Sequence, residues 1–165
     1  MSTTNTENSD VENDVARDEL LNRVHALLNE EKWTRATLNN YTVNNFKELD
    51  ELLDEIEDKD LEDDVLALCE EHLQHTKNSI KALYISGVLA LTRQSIDDVN
   101  LIMLTKIFSD NHKWNIVEYL AKKILEFGEN RFALRILADV YDTENRASDL
   151  HEVWERLIRV DYEEA

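Results

Sequence analysis

A register of 33 residues constrains this chain more than any other feature in it. Leu101, Leu104, Ile107 and Phe108 recur as Leu134, Leu137, Val140 and Tyr141, and the same offset carries Val117, Leu120, Ile124 and Leu125 onto Leu150, Val153, Leu157 and Ile158. A self-match at a period of about 33 to 34 marks stacked helix–turn–helix units, each too small to bury its apolar face alone. Within each unit the apolar residues fall at helical spacing, and the whole chain has no proline and two glycines to interrupt it. The expected fold is all-α, an antiparallel helical array of about eight helices. Stacks of this kind hold partners and rarely carry chemistry of their own.

The rest of the chain divides by charge. Residues 1–76 hold 21 acidic and 6 basic side chains, residues 77–110 hold 3 and 4, and residues 111–165 hold 12 and 8, for a net of −18. Such an acidic first half repels phosphate backbones and argues against direct nucleic-acid binding. The opening MSTTNTENSD is polar, with no basic and apolar signal pattern. No apolar run approaches the roughly 18 residues of a membrane span. A single cysteine, Cys69, excludes an internal disulfide and suits a reducing compartment, so the expected location is cytoplasmic. Cys69 itself reads as core beside Val65 and Leu68.

Helices are expected at roughly 11–30, 44–57, 61–75, 79–92, 96–109, 113–127, 131–142 and 146–161, after a disordered tail over 1–10. Ser9 with Glu12 forms a capping box for the first, Asp60 can cap the third, and Ser95 followed by Asp98 starts the fifth. The helix over 79–92 is apolar nearly all round, with Ala82, Ser86, Gly87 and Ala90 small. That pattern suits a central helix buried on several sides, closely approached at Gly87. Short polar joints make successive helices antiparallel. Residues 11–95 form an irregular acidic helical region, and 96–165 two regular hairpins.

Those two hairpins resemble the tetratricopeptide repeat. Leu134, Leu137, Ala138 and Tyr141 match the spacing of its first helix, with Leu150, Trp154 and Leu157 in the second. Leu101, Leu104, Thr105 and Phe108, followed by Val117, Ala121 and Ile124, match less fully. The usual closing proline is replaced by Glu129 and Tyr162. By this resemblance the array is a tetratricopeptide-like α-solenoid, and Trp154 belongs to its core. Val153, Leu157 and Val160 need cover beyond the second unit, so the array is expected to continue in a longer parent protein.

No motif for catalysis emerges. The run from Glu48 to Asp64 holds 11 carboxylates against Lys59. Asp58, Asp60 and Glu62 imitate the start of a calcium loop, but Asp63 stands at the glycine position and Cys69 at the bidentate glutamate position. The run reads as a solvated helix face, with docking of a basic partner as the sharper alternative. His72 and His75 lie one turn apart without recognisable further ligands, and His25, His112 and His151 are isolated. Neither a glycine-rich phosphate loop nor a nucleophile elbow is present. The chain is expected to be no enzyme and to take no cofactor or metal.

The segment Glu30-Glu31-Lys32-Trp33-Thr34-Arg35-Ala36-Thr37-Leu38-Asn39-Asn40-Tyr41-Thr42, with Phe46 and Leu49-Asp50-Glu51-Leu52, resembles the N-terminal helical region of long, repeat-bearing Gre-type transcription elongation factors of spirochaetes. Gre factors act through a long coiled coil with an acidic, magnesium-holding tip. Here the arms over 44–57 and 61–75 reach only about 21 Å at 1.5 Å per residue, so no cleavage residue is carried over. The resemblance implies an accessory region whose partner is a protein, with the transcription machinery the nearest candidate. Trp33 and Arg35 in that segment, with Lys106, Arg131 and Arg135 on the repeat helices, are the candidate partner-binding residues. A structural spacer or self-association segment of a larger protein is the alternative.

Overall fold

Helical periodicity with so few breakers leaves the chain one way to satisfy its backbone, and it takes it throughout. The computed structural model describes residues 2–30, 35–93 and 98–164, with side chains for 12–30, 37–93 and 98–162. Among the described residues there are nine helices and no strand: α1 Ser2–Glu30, α2 Arg35–Asn40, α3 Val43–Asp58, α4 Glu62–His75, α5 Ile80–Thr92, α6 Val99–Asp110, α7 Trp114–Leu125, α8 Arg131–Thr143 and α9 Ala147–Glu164. The ninth is α2, a short element between α1 and α3. Helix α1 runs through the stretch expected as a tail and past the Ser9 cap, since no proline or glycine interrupts residues 2–30.

From α4 to α9 each helix packs on the next in sequence. Helix α1 lies against α4 and α5, while α3 lies across α5 and α7 and touches α4. Helix α5 is buried continuously from Ala82 to Leu89, as its apolar girdle demands. A Cβ built on Gly87 would stand 2.6 Å from Leu101 Cγ, so the glycine lets α6 approach α5. The core runs across the expected boundary near residue 95. Phe46 of α3 meets Tyr84 of α5 at 5.0 Å and Phe108 of α6 at 5.7 Å, both edge to face.

The turns show why the helices stop where they do. Asp60, His112 and Asn145 take left-handed φ values of 52°, 57° and 58°. After each, a backbone N–H reaches five residues back: Leu61 to Ile56 at 3.0 Å, Lys113 to Phe108 at 3.0 Å, and Arg146 to Tyr141 at 2.8 Å. This closure satisfies carbonyls the helix end would otherwise orphan. His112 and Asn145 stand 33 residues apart, so the register of the apolar residues is also a register of turn geometry. Asp60 therefore closes α3 and does not cap α4, whose first turn carries Glu62, Asp63 and Asp64 toward the positive end of its dipole. Helix α6 starts behind Asp98, and Ser95 lies outside the described residues.

Trp154 corrects the expectation of a core residue. Val153, Leu157 and Val160, expected to need cover beyond the second unit, are instead buried within the chain from α9, and Trp154 is turned one step off that face and is 52% exposed. Trp114 does open α7, half-buried with its ring 5.4 Å from His112. Cys69 is fully buried, and burial pushes its thiol up to about 12.

The contact at Gly87 gives a direct test. Alanine in a helix interior is ordinarily favoured over glycine. Here its methyl group must displace Leu101, so Gly87→Ala is expected to lower unfolding free energy by about 1–3 kcal/mol. Urea denaturation should show a lower midpoint with an unchanged slope.

Candidate partner-binding surface

Two faces of the array differ in what already covers them. On one, α3 buries Phe46, Leu49, Leu52, Leu53 and Ile56 and adds a polar anchor at one carboxylate. Asp50 Oδ1 accepts from the Tyr84 hydroxyl of α5 at 2.5 Å, its Oδ2 accepts a short hydrogen bond from the Tyr119 hydroxyl of α7, and Lys123 Nζ stands 3.3 Å from Oδ2. Lys123 also lies 5.7 Å from the centre of the Tyr119 ring. Burial and the carboxylate together push both phenols well above their ordinary range, so they remain donors. This face is occupied by the chain's own helix.

On the other, α6 and α8 lie side by side, joined by Asn130 Nδ2 donating to Asp98 Oδ2 at 2.7 Å. Val99, Met103 and Lys106 share one face of α6 at i, i+4 and i+7, all exposed. Phe132, Arg135 and Ile136 share a face of α8. Lys106 Nζ stands 5.7 Å from the centre of the Phe132 ring, which ties the two faces into one surface. Phe132 and Ile136 are the 33-residue counterparts of Val99 and Met103. The surface is thus an apolar strip edged by two cations, Lys106 and Arg135.

The other candidate residues fall elsewhere. Arg131 is half-buried and reaches Asp161 of α9 at 2.9 Å, so it serves the α8–α9 contact. Arg35 opens α2, with its side chain outside the described residues, and Trp33 lies outside them altogether. The acidic run is largely a solvated face, although Glu55 pairs with Arg23 at 2.8 Å and Asp63 pairs with Arg93. Between α3 and α5, Asp54, Glu57, Glu62, Glu126 and the exposed Phe127 border a cleft of about 310 Å³. His25, His72 and His75 line a cleft of about 130 Å³ between α1 and α4. Among the described residues no group of three or more metal-ligating side chains stands close enough to hold an ion.

A second polar lock joins α7 to the α8–α9 turn. Arg146 grips both oxygens of Glu118, at 2.9 and 3.0 Å, while the Tyr141 hydroxyl donates to it at 2.9 Å and Lys122 lies at 3.1 Å. The Arg146 guanidinium sits 4.5 Å over the Tyr141 ring. Burial works against the Glu118 carboxylate, but the bonds from Arg146, Tyr141 and Lys122 prevail and hold its pKa down to about 2. Neither lock was legible from local spacing, because Asp50 bonds across 34 and 69 residues and Glu118 across 23 and 28.

Two longer proteins contain a stretch similar to this chain. Over 125 residues, 76% of the chain, it is 49% identical to a protein of Treponema pallidum named for GreA-associated domains. Over 144 residues, 87% of the chain, it is 39% identical to a transcription elongation factor GreA of Borreliella burgdorferi. The matches cover 19% and 16% of those proteins, so the chain spans less than a fifth of each. No protein-family model and no solved structure matches it. No described helix is long and apolar enough to cross a membrane. The chain is related to Gre-type proteins.

The Glu118 lock predicts the acid limb of stability. A carboxylate depressed from 4.5 to about 2 stabilises the fold fully above the upper value and loses that contribution as pH falls through the lower one. Chemical denaturation between pH 5 and 2 should therefore show stability falling, by roughly 1–3 kcal/mol from this group. Glu118→Gln should be less stable at pH 7 and show a flatter slope in that window. For the other lock, Asp50→Ala leaves two phenols without their acceptor and Lys123 with Glu126 alone, at 3.3 Å, and is expected to cost about 2–4 kcal/mol.

Proposed function

We propose that the chain is a non-catalytic helical-repeat module that binds protein, and that it serves as an accessory region of a Gre-type transcription elongation factor in the cytoplasm. The observation that carries this reading is the α6–α8 surface, where Val99, Met103 and Phe132 form an apolar strip between Lys106 and Arg135. Alternate helices of a solenoid present such a strip to an extended or helical peptide. Its apolar centre supplies binding energy, and its cations orient an acidic stretch of the partner. The partner is a protein, with the transcription machinery first in line by relatedness to the Gre-named proteins. The tetratricopeptide-like arrangement belongs to this reading, supported by the shared register of apolar residues and turns.

The test is capture of RNA polymerase by the immobilised chain. The unmodified chain should retain polymerase, and Met103→Asp combined with Lys106→Glu should weaken retention at least tenfold without changing Tm, because both side chains are exposed. Equal capture by both proteins would overturn the assignment of this surface. Absence of capture by either, with a monomer at all concentrations, would favour the structural-spacer reading.

A further inference from the structure

The last helix carries an apolar stripe one period downstream of an interface that is already formed. Helix α7 packs on α8, and the face it uses is marked by Glu118, which bonds Tyr141 and Arg146. Ala121 and Leu125 lie on that same face, three and seven residues on, buried and half-buried. Thirty-three residues later their counterparts are Trp154 and Ile158, 52% and 65% exposed, and Tyr162 one turn further is 83% exposed. Val153, Leu157 and Val160 on the adjoining face of α9 are buried. Helix α9 is thus apolar over two adjoining faces, of which α8 covers one. Scattered exposed apolar residues are ordinary, but three large ones in line at i, i+4 and i+8 form a continuous patch.

We propose that the Trp154–Ile158–Tyr162 stripe is the docking face for a further helical hairpin of the same repeat, whose opening helix stands to α9 as α8 stands to α7. Register carries it: the positions of Glu118, Ala121 and Leu125 on α7 recur on α9 as His151, Trp154 and Ile158, with apolar character kept at the last two. The matched stretches of 125 and 144 residues are 19% and 16% of those two relatives, so the relatives are roughly four and five times the length of this chain and have room for such a unit. The chemistry narrows the occupant. Trp154 replaces Ala121, so the docking helix presents glycine or alanine opposite the indole, as Gly87 does for Leu101 between α5 and α6. His151 replaces Glu118 and pairs with Glu155 at 3.1 Å, so a counterpart of the Arg146 anchor is not called for. This surface is separate from the α6–α8 strip and does not rest on it.

The test uses Trp154 as its own reporter, in the full chain carrying Trp33→Phe and Trp114→Phe. The probe is a hydrocarbon-stapled helical peptide with the α8 sequence Arg131–Thr143, which already packs on this kind of face in the protein. Saturable binding should shift Trp154 emission to the blue and reduce acrylamide quenching at least threefold. Ile158→Asp, at an exposed position, should keep its circular dichroism and Tm and lose the response. Met103→Asp should leave it intact, so failure here and failure of the proposed function are told apart. Unchanged emission, or a full response from Ile158→Asp, would overturn the proposal. A concentration-dependent dimer in sedimentation, abolished by Ile158→Asp, would also overturn it by giving the stripe to a second copy.

Discussion

The arrangement of this protein turns on one carboxylate. Asp50 receives two hydroxyls and an ammonium from α5 and α7, and through them α3 is held across the array. Phe46 on the same helix then reaches Tyr84 and Phe108, and its ring also stands 6.4 Å from Tyr119. A half-buried charge is costly unless its partners are complete, and here they are. The pairing does more than stabilise: it fixes the rotation of α3, because a turn of one residue would carry Asp50 away from both phenols. With α3 in place, the face built by α5 and α7 is covered, while Val99, Met103 and Lys106 of α6 stay exposed beside α8.

The regular half repeats its backbone more faithfully than its chemistry. His112 and Asn145 close α6 and α8 with the same left-handed residue and the same five-residue hydrogen bond. Such a turn sets the angle at which the next helix leaves, so repeating it repeats the stacking. The side chains above that backbone are free to diverge. Glu118 becomes His151, Ala121 becomes Trp154, and Lys106 becomes Asp139. Each substitution keeps the stack and alters what the stack can grip, which is how one architecture comes to hold different partners.

How much the sequence disclosed follows from the range of each interaction. Helices and core faces were legible because a 3.6-residue period is local, and α5 announced its central position by being apolar all round. Caps were read less well: Asp60 looks like a helix start, yet its backbone takes the left-handed form that ends α3. Trp154 was read as core because size and hydrophobicity usually mean burial, whereas position on the helix decides. The α6–α8 surface was half legible. Lys106 and Arg135 stood out as cations on repeat helices, but the strip of Val99, Met103 and Phe132 between them needed two helices brought side by side. Arg131 carries the same charge and faces Asp161 instead, a difference that no local pattern records.

Charge then decides what sort of partner the open strip can hold. The carboxylate excess is concentrated in residues 1–76, while residues 77–110, which supply α5 and α6, are balanced to within one charge. The α6 half of the strip therefore lies where repulsion of an acidic ligand is least, the α8 half lies in residues 111–165 with 12 acidic and 8 basic side chains, and the strip's own cations are Lys106 and Arg135. Two exposed cations in a chain of net −18 cannot generate the field that draws a phosphate backbone. They can set the direction of a peptide whose apolar residues bind between them. Lys106 already spends part of its charge on the Phe132 ring, so its hydrocarbon stem forms one wall of the strip and its ammonium marks the edge. On the proposed binding role, affinity there would come from the apolar contact, with the cations setting its orientation.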